Sequence, residues 1–360
     1  MRSVIAALLA LAVVAGSGAL SASDSSARLD QAIREIADEH HLPSISVAIS
    51  KSGEIVYSTA VGFADLENRV PVTPQTVYRI GSITKTITAV AALRLAELGD
   101  LDLDAPIQES CPAFPEKSHP ITTRQLLAHL AGIRHYDYRR FDEDFLNKRS
   151  FDSIEEAMGK FSEDPLESEP GSQYHYSSWG YVVVGCAIEG ASGLSYAEAI
   201  QRDVLGPAGM ESTRLDVIQD IIPHRARGYS LRDDGSWANS GCFNASDRYP
   251  AGGLVGTADD LVTLANALLE GDLLNEQSVK TMTSSQTTSS NESTGRGLGL
   301  EIGDTQSELY HGGTSIGASS YLYIRPEEKV AVALLTNLSL WTKPRQEVAQ
   351  RLTEIVVSSE

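Results

Sequence analysis

The chain has 360 residues, of which 42% are hydrophobic and 21% are charged, so it can bury a large core. This composition excludes a disordered tail and a small scaffold that depends on disulfides. Lys and Arg total 29 against 48 Asp and Glu, and the resulting formal net charge of −19 would repel nucleic-acid phosphates and anionic lipid headgroups. We therefore expect neither nucleic acid nor a membrane surface as a partner.

The first 22 residues have the composition of a secretory leader. Arg2 precedes an apolar run over residues 4–15, and small residues follow as far as Ala22. We predict a signal peptide over residues 1–22, cleaved near Ala19 or Ala22, and a secreted or periplasmic mature protein. The alternative is an uncleaved N-terminal membrane anchor, although the apolar run is short for crossing about 30 Å of hydrocarbon.

The remaining chain, residues 23–360, alternates helical and strand patterns and predicts one domain. Apolar spacing predicts helices over 26–39, 84–98, 123–131, 154–161, 179–191, 196–204 and 344–356. Strands are predicted over 45–50, 55–62, 297–302, 308–311, 319–324 and 330–336, with strands returning after the helical part only from about Gly228. The polar stretch 282–295 predicts a mobile surface loop.

This order of elements predicts a mixed α/β fold: an antiparallel sheet flanked by helices, with a large helical insertion. The α/β part covers about 27–100 and 210–360, and the helical part covers about 101–209. The three cysteines (Cys111, Cys186 and Cys242) form no Cys-x-x-Cys motif and allow at most one disulfide, on which we expect the stability not to depend. Cys186 lies in an apolar helical pattern and is interpreted as a core residue rather than a nucleophile.

One apparent nucleophile motif is misleading. Residues 313–317 match the Gly-x-Ser-x-Gly elbow of α/β-hydrolases, with Ser315 as its serine. That elbow requires a helix directly after the serine and a histidine further along the chain. Here a strand pattern follows, and all eight histidines lie at or before His311. We therefore reject Ser315 as the nucleophile.

A better candidate is Ser82-Ile-Thr-Lys85, which lies where a strand-like segment passes through Gly81 into a helix. Residues three apart share a helix face, and a helix N-terminus presents N–H groups and positive partial charge to an oxyanion. A desolvated lysine at that spacing can accept the serine proton. Taken alone, the motif is also typical of an ordinary helix with a capping serine and a solvated lysine.

Two further motifs follow later in the chain: Tyr176-Ser-Ser178 and then His311-Gly-Gly313. Ser-x-x-Lys, Tyr-x-Asn and Lys/His-x-Gly, in that order, make the chain resemble the serine β-lactamase and penicillin-binding protein superfamily, in its class C-like branch. The resemblance covers about residues 30–340 and implies the β-lactamase/transpeptidase-like fold. The stretch from Leu130 to Tyr136 and the serine at position 178 are similar to the mitochondrial serine β-lactamase-like members.

The resemblance implies a role for each motif residue. Ser82 is the acylated nucleophile, Lys85 holds or accepts its proton, and Tyr176, driven toward the phenolate by the neighbouring ammonium, is the general base and later the acid. The backbone N–H groups of Ser82 and Thr314 form the oxyanion hole. Gly312 and Gly313 leave room for a substrate against the strand edge.

Two motif positions depart from the common pattern. Ser178 replaces the Asn that contacts the acylamide side of the substrate in most members, which puts ordinary β-lactam hydrolysis in doubt. His311 replaces the Lys of β-lactamases, as in many esterase and peptidase members. A hydroxyl or imidazole at either position could instead only fill space and bond a neighbour.

Other candidates for the site are weaker. His129 and His135 lack a third ligand and the spacing of a zinc motif, so no metal or other cofactor is expected. Trp179, Trp237 and Tyr249 are candidates to line the cleft, but core aromatics give the same pattern.

The sequence thus favours a metal-free serine hydrolase acting on an amide or ester of a small molecule or peptide, as a peptidase, carboxypeptidase or esterase. The alternatives are a β-lactamase proper and a binding or assembly protein that keeps the fold, as the filament-forming habit of the mitochondrial members implies. The intact Ser, Lys and Tyr set favours the enzyme. Association into a homo-oligomer is left open.

Overall fold

A seven-stranded antiparallel sheet lies at the centre of the computed structural model, which describes residues 22–303 and 307–358. Its strand order is β3-β2-β1-β12-β11-β10-β9. The strands are β1 (Ser44–Lys51), β2 (Glu54–Asp65), β3 (Val70–Pro71), β9 (Glu301–Ile302), β10 (Leu309–Ser315), β11 (Ala318–Arg325) and β12 (Val330–Thr336). Two smaller sheets comprise β4 (Tyr78–Arg79), β8 (Leu254–Gly256) and β5 (Arg214–Leu215), and β6 (Tyr229–Leu231) with β7 (Trp237–Asn239).

Eleven α-helices are present in the described residues. They are α1 (Ala22–Glu39), α2 (Thr84–Leu98), α3 (Thr123–Leu127), α4 (Ile154–Met158), α5 (Ser178–Ser192), α6 (Tyr196–Ile200), α7 (Gly206–Ala208), α8 (Tyr249–Gly252), α9 (Ala258–Glu270), α10 (Glu276–Thr283) and α11 (Arg345–Val357). Short 3-10 helices cover Gly81–Ile83, Ile107–Glu109 and Tyr138–Arg140, and π-helical turns cover Phe141–Phe145 and Gln201–Leu205. No helix in the described part of the chain is long and apolar enough to cross a membrane.

The central strands are buried on both faces because helices cover the sheet on both sides. Every residue of β12 is buried. Alternate residues face opposite layers: Val332 and Leu334 pack in the core formed with α1 and α11, whereas Ala333 and Leu335 pack in the core that contains α2, α5 and α9. The expected class, an antiparallel sheet flanked by helices, is confirmed, and all elements between residues 101 and 209 are helical.

The element boundaries differ from the predictions where local backbone geometry intervenes. The first helix begins at Ala22, four residues before the predicted start. The third ends at Leu127 instead of residue 131, since His129 has a positive φ of 58° that a continuing helix excludes. The predicted leader lies outside the described residues apart from Ala22 and remains a prediction.

Strand predictions were less accurate than helix predictions. A strand was expected over 297–302 but includes only Glu301 and Ile302, whereas the strand expected over 308–311 continues to Ser315. Strands after the helical part were expected only from about Gly228, but β5 already forms at Arg214–Leu215. The segment 282–295, predicted as a mobile surface loop, begins in α10 with the buried Met282. It then forms backbone hydrogen bonds, including one from Ser289 N to Gly171 O at 2.8 Å.

One disulfide, between Cys111 and Cys186, joins the segment after the 3-10 helix Ile107–Glu109 to α5, and Cys242 is free and exposed. The expected limit of one disulfide agrees with this pairing. The two cysteines are 75 residues apart, and closing a loop of that length in the unfolded chain corresponds to about 4 kcal/mol of stabilisation on the chain-entropy account. This argues against the expectation that stability does not depend on a disulfide.

Candidate active site

Ser82 lies in the 3-10 helix that leads directly into α2, and it lines a cleft of about 590 Å³. Gly81 before it has a φ of 50°, and a Cβ there would lie 2.7 Å from the backbone nitrogen of Thr314. A glycine is therefore required for two reasons: the left-handed backbone and the close approach of β10. The contact places the Ser82 and Thr314 segments side by side at the cleft.

Lys85 is fully buried one helical turn after Ser82. Its Nζ lies 3.0 Å from Ser82 Oγ and donates a hydrogen bond to the carbonyl oxygen of Ala251 at 2.6 Å. Burial, and secondly the nearby guanidinium of Arg248, lower the pKa of Lys85 well below its usual value. The amine therefore loses its proton more readily than an ordinary lysine, and in its neutral form it can accept a proton from the hydroxyl beside it.

Tyr176 approaches the same oxygen from the helical part of the molecule. Its hydroxyl donates a hydrogen bond to Ser82 Oγ at 2.9 Å, and Lys85 Nζ lies 5.0 Å from the centre of its ring. Part of the ring faces the cleft, but the surrounding protein desolvates the hydroxyl and raises the pKa of Tyr176. Burial disfavours the tyrosinate and the lysine ammonium alike, which argues against the expected phenolate in the resting protein.

Two histidines that the sequence analysis considered only as metal ligands hold the Tyr176 loop in place. The backbone N–H of Ser177 donates to Nδ1 of His129 at 3.1 Å, and that of Ser178 donates to Nδ1 of His135 at 3.2 Å. Burial lowers the pKa of both imidazoles, that of His135 to about 3, so both are neutral and can accept these bonds. The described residues contain no cluster suited to a metal. No sequence motif marks a histidine whose role is to accept a hydrogen bond from the backbone of a distant loop.

Ser178 is the first residue of α5, directly after Ser177, whose hydroxyl accepts a hydrogen bond from Gly180 N and caps the helix. Ser178 lines the cleft and is almost fully buried. Its hydroxyl lies beside the phenols of Tyr136 and Tyr176 and lowers the pKa of each slightly against the larger effect of burial. The structure therefore brings Ser178 to the catalytic side chains.

His311, Gly312 and Gly313 lie on β10, and the first two line the cleft with Thr314. Burial, with a smaller contribution from Lys85, lowers the pKa of His311 to about 3, so this residue does not supply the positive charge of the Lys it replaces. A Cβ at Gly313 would overlap the carbonyl oxygen of Ile80 and the hydroxyl of Ser320. The space that Gly313 leaves is therefore occupied by the protein itself and not by a substrate, which corrects the expectation for this glycine.

None of the three aromatic residues suggested for the cleft lines it. Trp179 is buried, stacked on Phe161 at 4.9 Å, and Tyr249 packs against the core. Trp237 is exposed, and its indole N–H donates to His41 O. The cleft is lined instead by residues that the sequence analysis missed, namely Tyr136, Tyr138, Phe141, Phe145, Phe243, Arg248, Leu340 and Arg345.

The rejected nucleophile, Ser315, lies at the end of β10, and strand β11 follows it after a two-residue turn. No helix follows as the elbow of an α/β-hydrolase would require.

The sheet topology and the Ser-Lys-Tyr cluster at the start of α2 are typical of the β-lactamase-fold family of serine hydrolases. Residues 29–356 match the beta-lactamase family, and the chain belongs to that family. It is similar to the human mitochondrial serine beta-lactamase-like protein LACTB, with 31% identity over 66% of this chain and 55% of the relative. The chain therefore spans about half the length of this curated relative.

Two solved structures are similar over most of the chain. The octameric penicillin-binding protein homologue from Pyrococcus abyssi has a TM-score of 0.76 and 29% identity, covering 92% of this chain and 77% of that one. The D-amino acid amidase from Ochrobactrum anthropi, solved with D-phenylalanine, has a TM-score of 0.78 and 26% identity, covering 92% of this chain and 100% of that one. The predicted superfamily and fold are thus confirmed.

Proposed function

We propose that this protein is a serine hydrolase that cleaves an amide or ester bond through an acyl-enzyme on Ser82. The observation that carries the proposal is the position of two proton-transfer groups on one oxygen: Lys85 Nζ lies 3.0 Å and Tyr176 Oη lies 2.9 Å from Ser82 Oγ. Both distances are within reach for general acid–base catalysis. No metal ion or cofactor takes part in the proposed reaction.

In the first step, the Ser82 hydroxyl transfers its proton to the neutral amine of Lys85 while Oγ bonds to the substrate carbonyl carbon. The negative charge moves to the carbonyl oxygen, and the backbone N–H groups of Ser82 and Thr314 are proposed to stabilise it. The tetrahedral intermediate then collapses. Tyr176 gives its proton to the leaving amine or alkoxide, and the Lys85 ammonium returns the proton to the tyrosine oxygen.

Deacylation repeats the sequence with water in the place of Ser82. Water loses a proton to Lys85 and attacks the ester carbonyl, and the proton finally returns to Ser82 Oγ as the acid leaves. Both charged forms, the Lys85 ammonium and the tyrosinate, exist only transiently, which agrees with the burial that disfavours each of them in the resting enzyme.

The relatives support an amide or ester of a small molecule or peptide as the substrate, because one structural neighbour is a D-amino acid amidase and another is a penicillin-binding protein homologue. Peptidase, carboxypeptidase and esterase activities all fit this class. A β-lactamase proper is the less favoured candidate, since Ser178 offers a single short hydroxyl where an Asn amide is usual. The octameric neighbour supports a homo-oligomer as a further proposal.

We also propose that residues 1–22 direct the protein out of the cytoplasm and that residues 23–360 act as one catalytic domain. The Cys111–Cys186 disulfide supports the export, because disulfides persist mainly in oxidising compartments. The family match over residues 29–356 supports the single domain.

The proposal is tested with a substrate panel of simple activated esters, D-alanyl peptides and a chromogenic cephalosporin. We expect turnover of at least one ester or amide by the wild-type protein, a loss of at least a hundredfold in Ser82→Ala, and retained turnover in the matched variant Ser315→Ala. Turnover that survives Ser82→Ala would contradict the proposal, and so would a folded protein that hydrolyses no member of the panel.

A further inference from the structure

Four large and mainly apolar side chains line the cleft that contains Ser82. This surface, the aromatic rim, comprises Tyr138, Phe141, Phe145 and Leu340, all of which line the cavity. Three of them expose much of their surface, with relative accessibilities of 59% for Tyr138, 43% for Phe141 and 73% for Leu340. Large apolar groups that remain exposed at the mouth of a cavity are typical of a binding surface.

The aromatic members of the rim contact one another and lead toward the catalytic residues. The ring centre of Phe145 lies 5.2 Å from that of Phe141, 5.7 Å from that of Tyr138 and 5.9 Å from that of Tyr136. Tyr136 in turn lies beside the hydroxyl of Ser178. A continuous aromatic surface thus runs from Ser178 to the cleft mouth, on the side where the family resemblance places the acyl part of a substrate.

Leu340 reaches the same cleft from the sheet side of the molecule, in the loop between β12 and α11. It has a φ of 61°, a left-handed conformation that is costly for a leucine. Its two neighbours fix this backbone: Ser339 Oγ accepts a hydrogen bond from Gly317 N at 2.7 Å, and Trp341 N donates to Ser319 Oγ at 3.0 Å. The fold therefore holds an exposed apolar side chain at the cleft where glycine would be less strained.

The rim itself carries no charged residue. The charged residues elsewhere in the cleft already have partners within the protein. Arg248 forms two hydrogen bonds to the carboxylate of Asp247 and stacks over the Tyr136 ring at 4.5 Å. Arg345 donates to the carbonyl oxygens of Gly313 and Ser320, and Glu301 pairs with Arg296. A charged acyl group would lose water against this surface without gaining a partner, whereas an apolar group would gain from burial.

We propose that the aromatic rim selects substrates whose acyl group is uncharged, bulky and apolar, with a terminal aromatic ring as the best fit. This inference rests on the proposed function and specifies its substrate class. Tyr138 and Phe141 cover one side of the acyl group and Leu340 covers the other. The substrate class is then an ester or amide of an arylalkyl acid.

The test compares two esters with one leaving group, 4-nitrophenyl 3-phenylpropanoate and 4-nitrophenyl acetate, through the ratio of their kcat/KM values. Burial of a phenyl group predicts a ratio of about ten or more in favour of the phenylpropanoate for the wild-type protein. The double variant Tyr138→Ala/Phe141→Ala should lower this ratio at least fivefold. Leu340→Gly, which relieves the positive φ and so keeps the fold, should lower it at least twofold.

The matched control is Ile221→Ala, which shortens a side chain that is 95% exposed and lies outside the cleft. It should leave the ratio unchanged. A wild-type ratio near one, or a ratio that the rim variants leave unchanged, overturns the inference while the proposed function stands. A folded wild-type protein that hydrolyses neither ester and is not labelled at Ser82 by a phosphonate overturns the proposed function, and this inference with it.

Discussion

Replacement of Lys85 by Met should abolish rapid acylation while the fold persists. Methionine is unbranched and of similar length, so it can fill the buried channel that the lysine stem occupies. It removes the amine, which is both the proposed base 3.0 Å from Ser82 Oγ and a hydrogen-bond donor to Ala251 O. The variant therefore separates proton transfer from packing.

The expected effect on rate is larger than the effect on stability. General acid–base groups contribute roughly 100- to 10,000-fold, which corresponds to about 2.7 to 5.4 kcal/mol in the acylation barrier. On the stability side, Ala251 O loses its donor, which costs about 1 to 3 kcal/mol, partly offset because no amine has to be desolvated on folding. We expect a well-folded protein with at least a hundredfold slower acylation.

The assay is the pre-steady-state release of 4-nitrophenol from an activated ester, with thermal unfolding measured in parallel. The matched control is Thr88→Val. Thr88 is also buried on α2, and its hydroxyl donates to Pro250 O, the carbonyl directly before that of Ala251, at 2.7 Å. This control should lose stability but keep its acylation rate. Acylation within tenfold of wild type in Lys85→Met, or an equal loss in Thr88→Val, would refute the assignment of Lys85 as the base.

Ser178→Asn, which adds an amide donor, should raise cephalosporin turnover relative to ester turnover by about tenfold, and a lower ratio in a folded variant would contradict this. Cys186→Ser should lower the free energy of unfolding by about 2 to 4 kcal/mol, while Cys242→Ser, at the free exposed cysteine, should not. Burial lowers the pKa of His135 to about 3 in the folded protein, whereas an imidazole in the unfolded chain titrates near about 6.5. Below about pH 6.5 the unfolded chain therefore binds a proton that the folded protein does not. The stability that neutral His135 contributes is lost progressively as the pH falls from about 6.5 toward 3. His135→Gln, which can accept the same hydrogen bond without titrating, should therefore lose less stability between pH 7 and pH 4 in denaturant titrations.

The spacing of apolar residues and the position of glycines predicted those helices and strands whose ends are set by neighbouring residues in the chain. The helix predicted over 84–98 and the strand predicted over 330–336 have the observed boundaries, because Gly99 ends the helix with a φ of 79° and β12 is apolar up to its last residue, Thr336. The family resemblance that the three motifs carry also grouped Ser82, Lys85 and Tyr176, whose polar atoms the fold brings together from different elements.

The chemistry of the site depended on tertiary packing and could not be obtained from motifs. The protonation of Tyr176 is set by the protein that surrounds it, and the role of His129 depends on a backbone N–H 48 residues away. Gly312 and Gly313 suggested the end of a strand, whereas β10 continues through both of them. A glycine is needed at position 313 because the Ile80 carbonyl occupies the space that a side chain would need. Tyr138, Phe141 and Phe145 lie in a segment for which the sequence predicted no element, and Leu340 lies in a distant loop, so only the fold brings the aromatic rim to the cleft that contains Ser82.

The identity of the nucleophile is the central claim, and covalent labelling tests it most directly. The purified wild-type protein, Ser82→Ala and Ser315→Ala are each treated with a serine-directed fluorophosphonate, and the modified peptide is located by mass spectrometry. We predict one modification, at Ser82, in the wild-type protein and in Ser315→Ala, and none in Ser82→Ala. Labelling that persists in Ser82→Ala and disappears in Ser315→Ala would contradict the account.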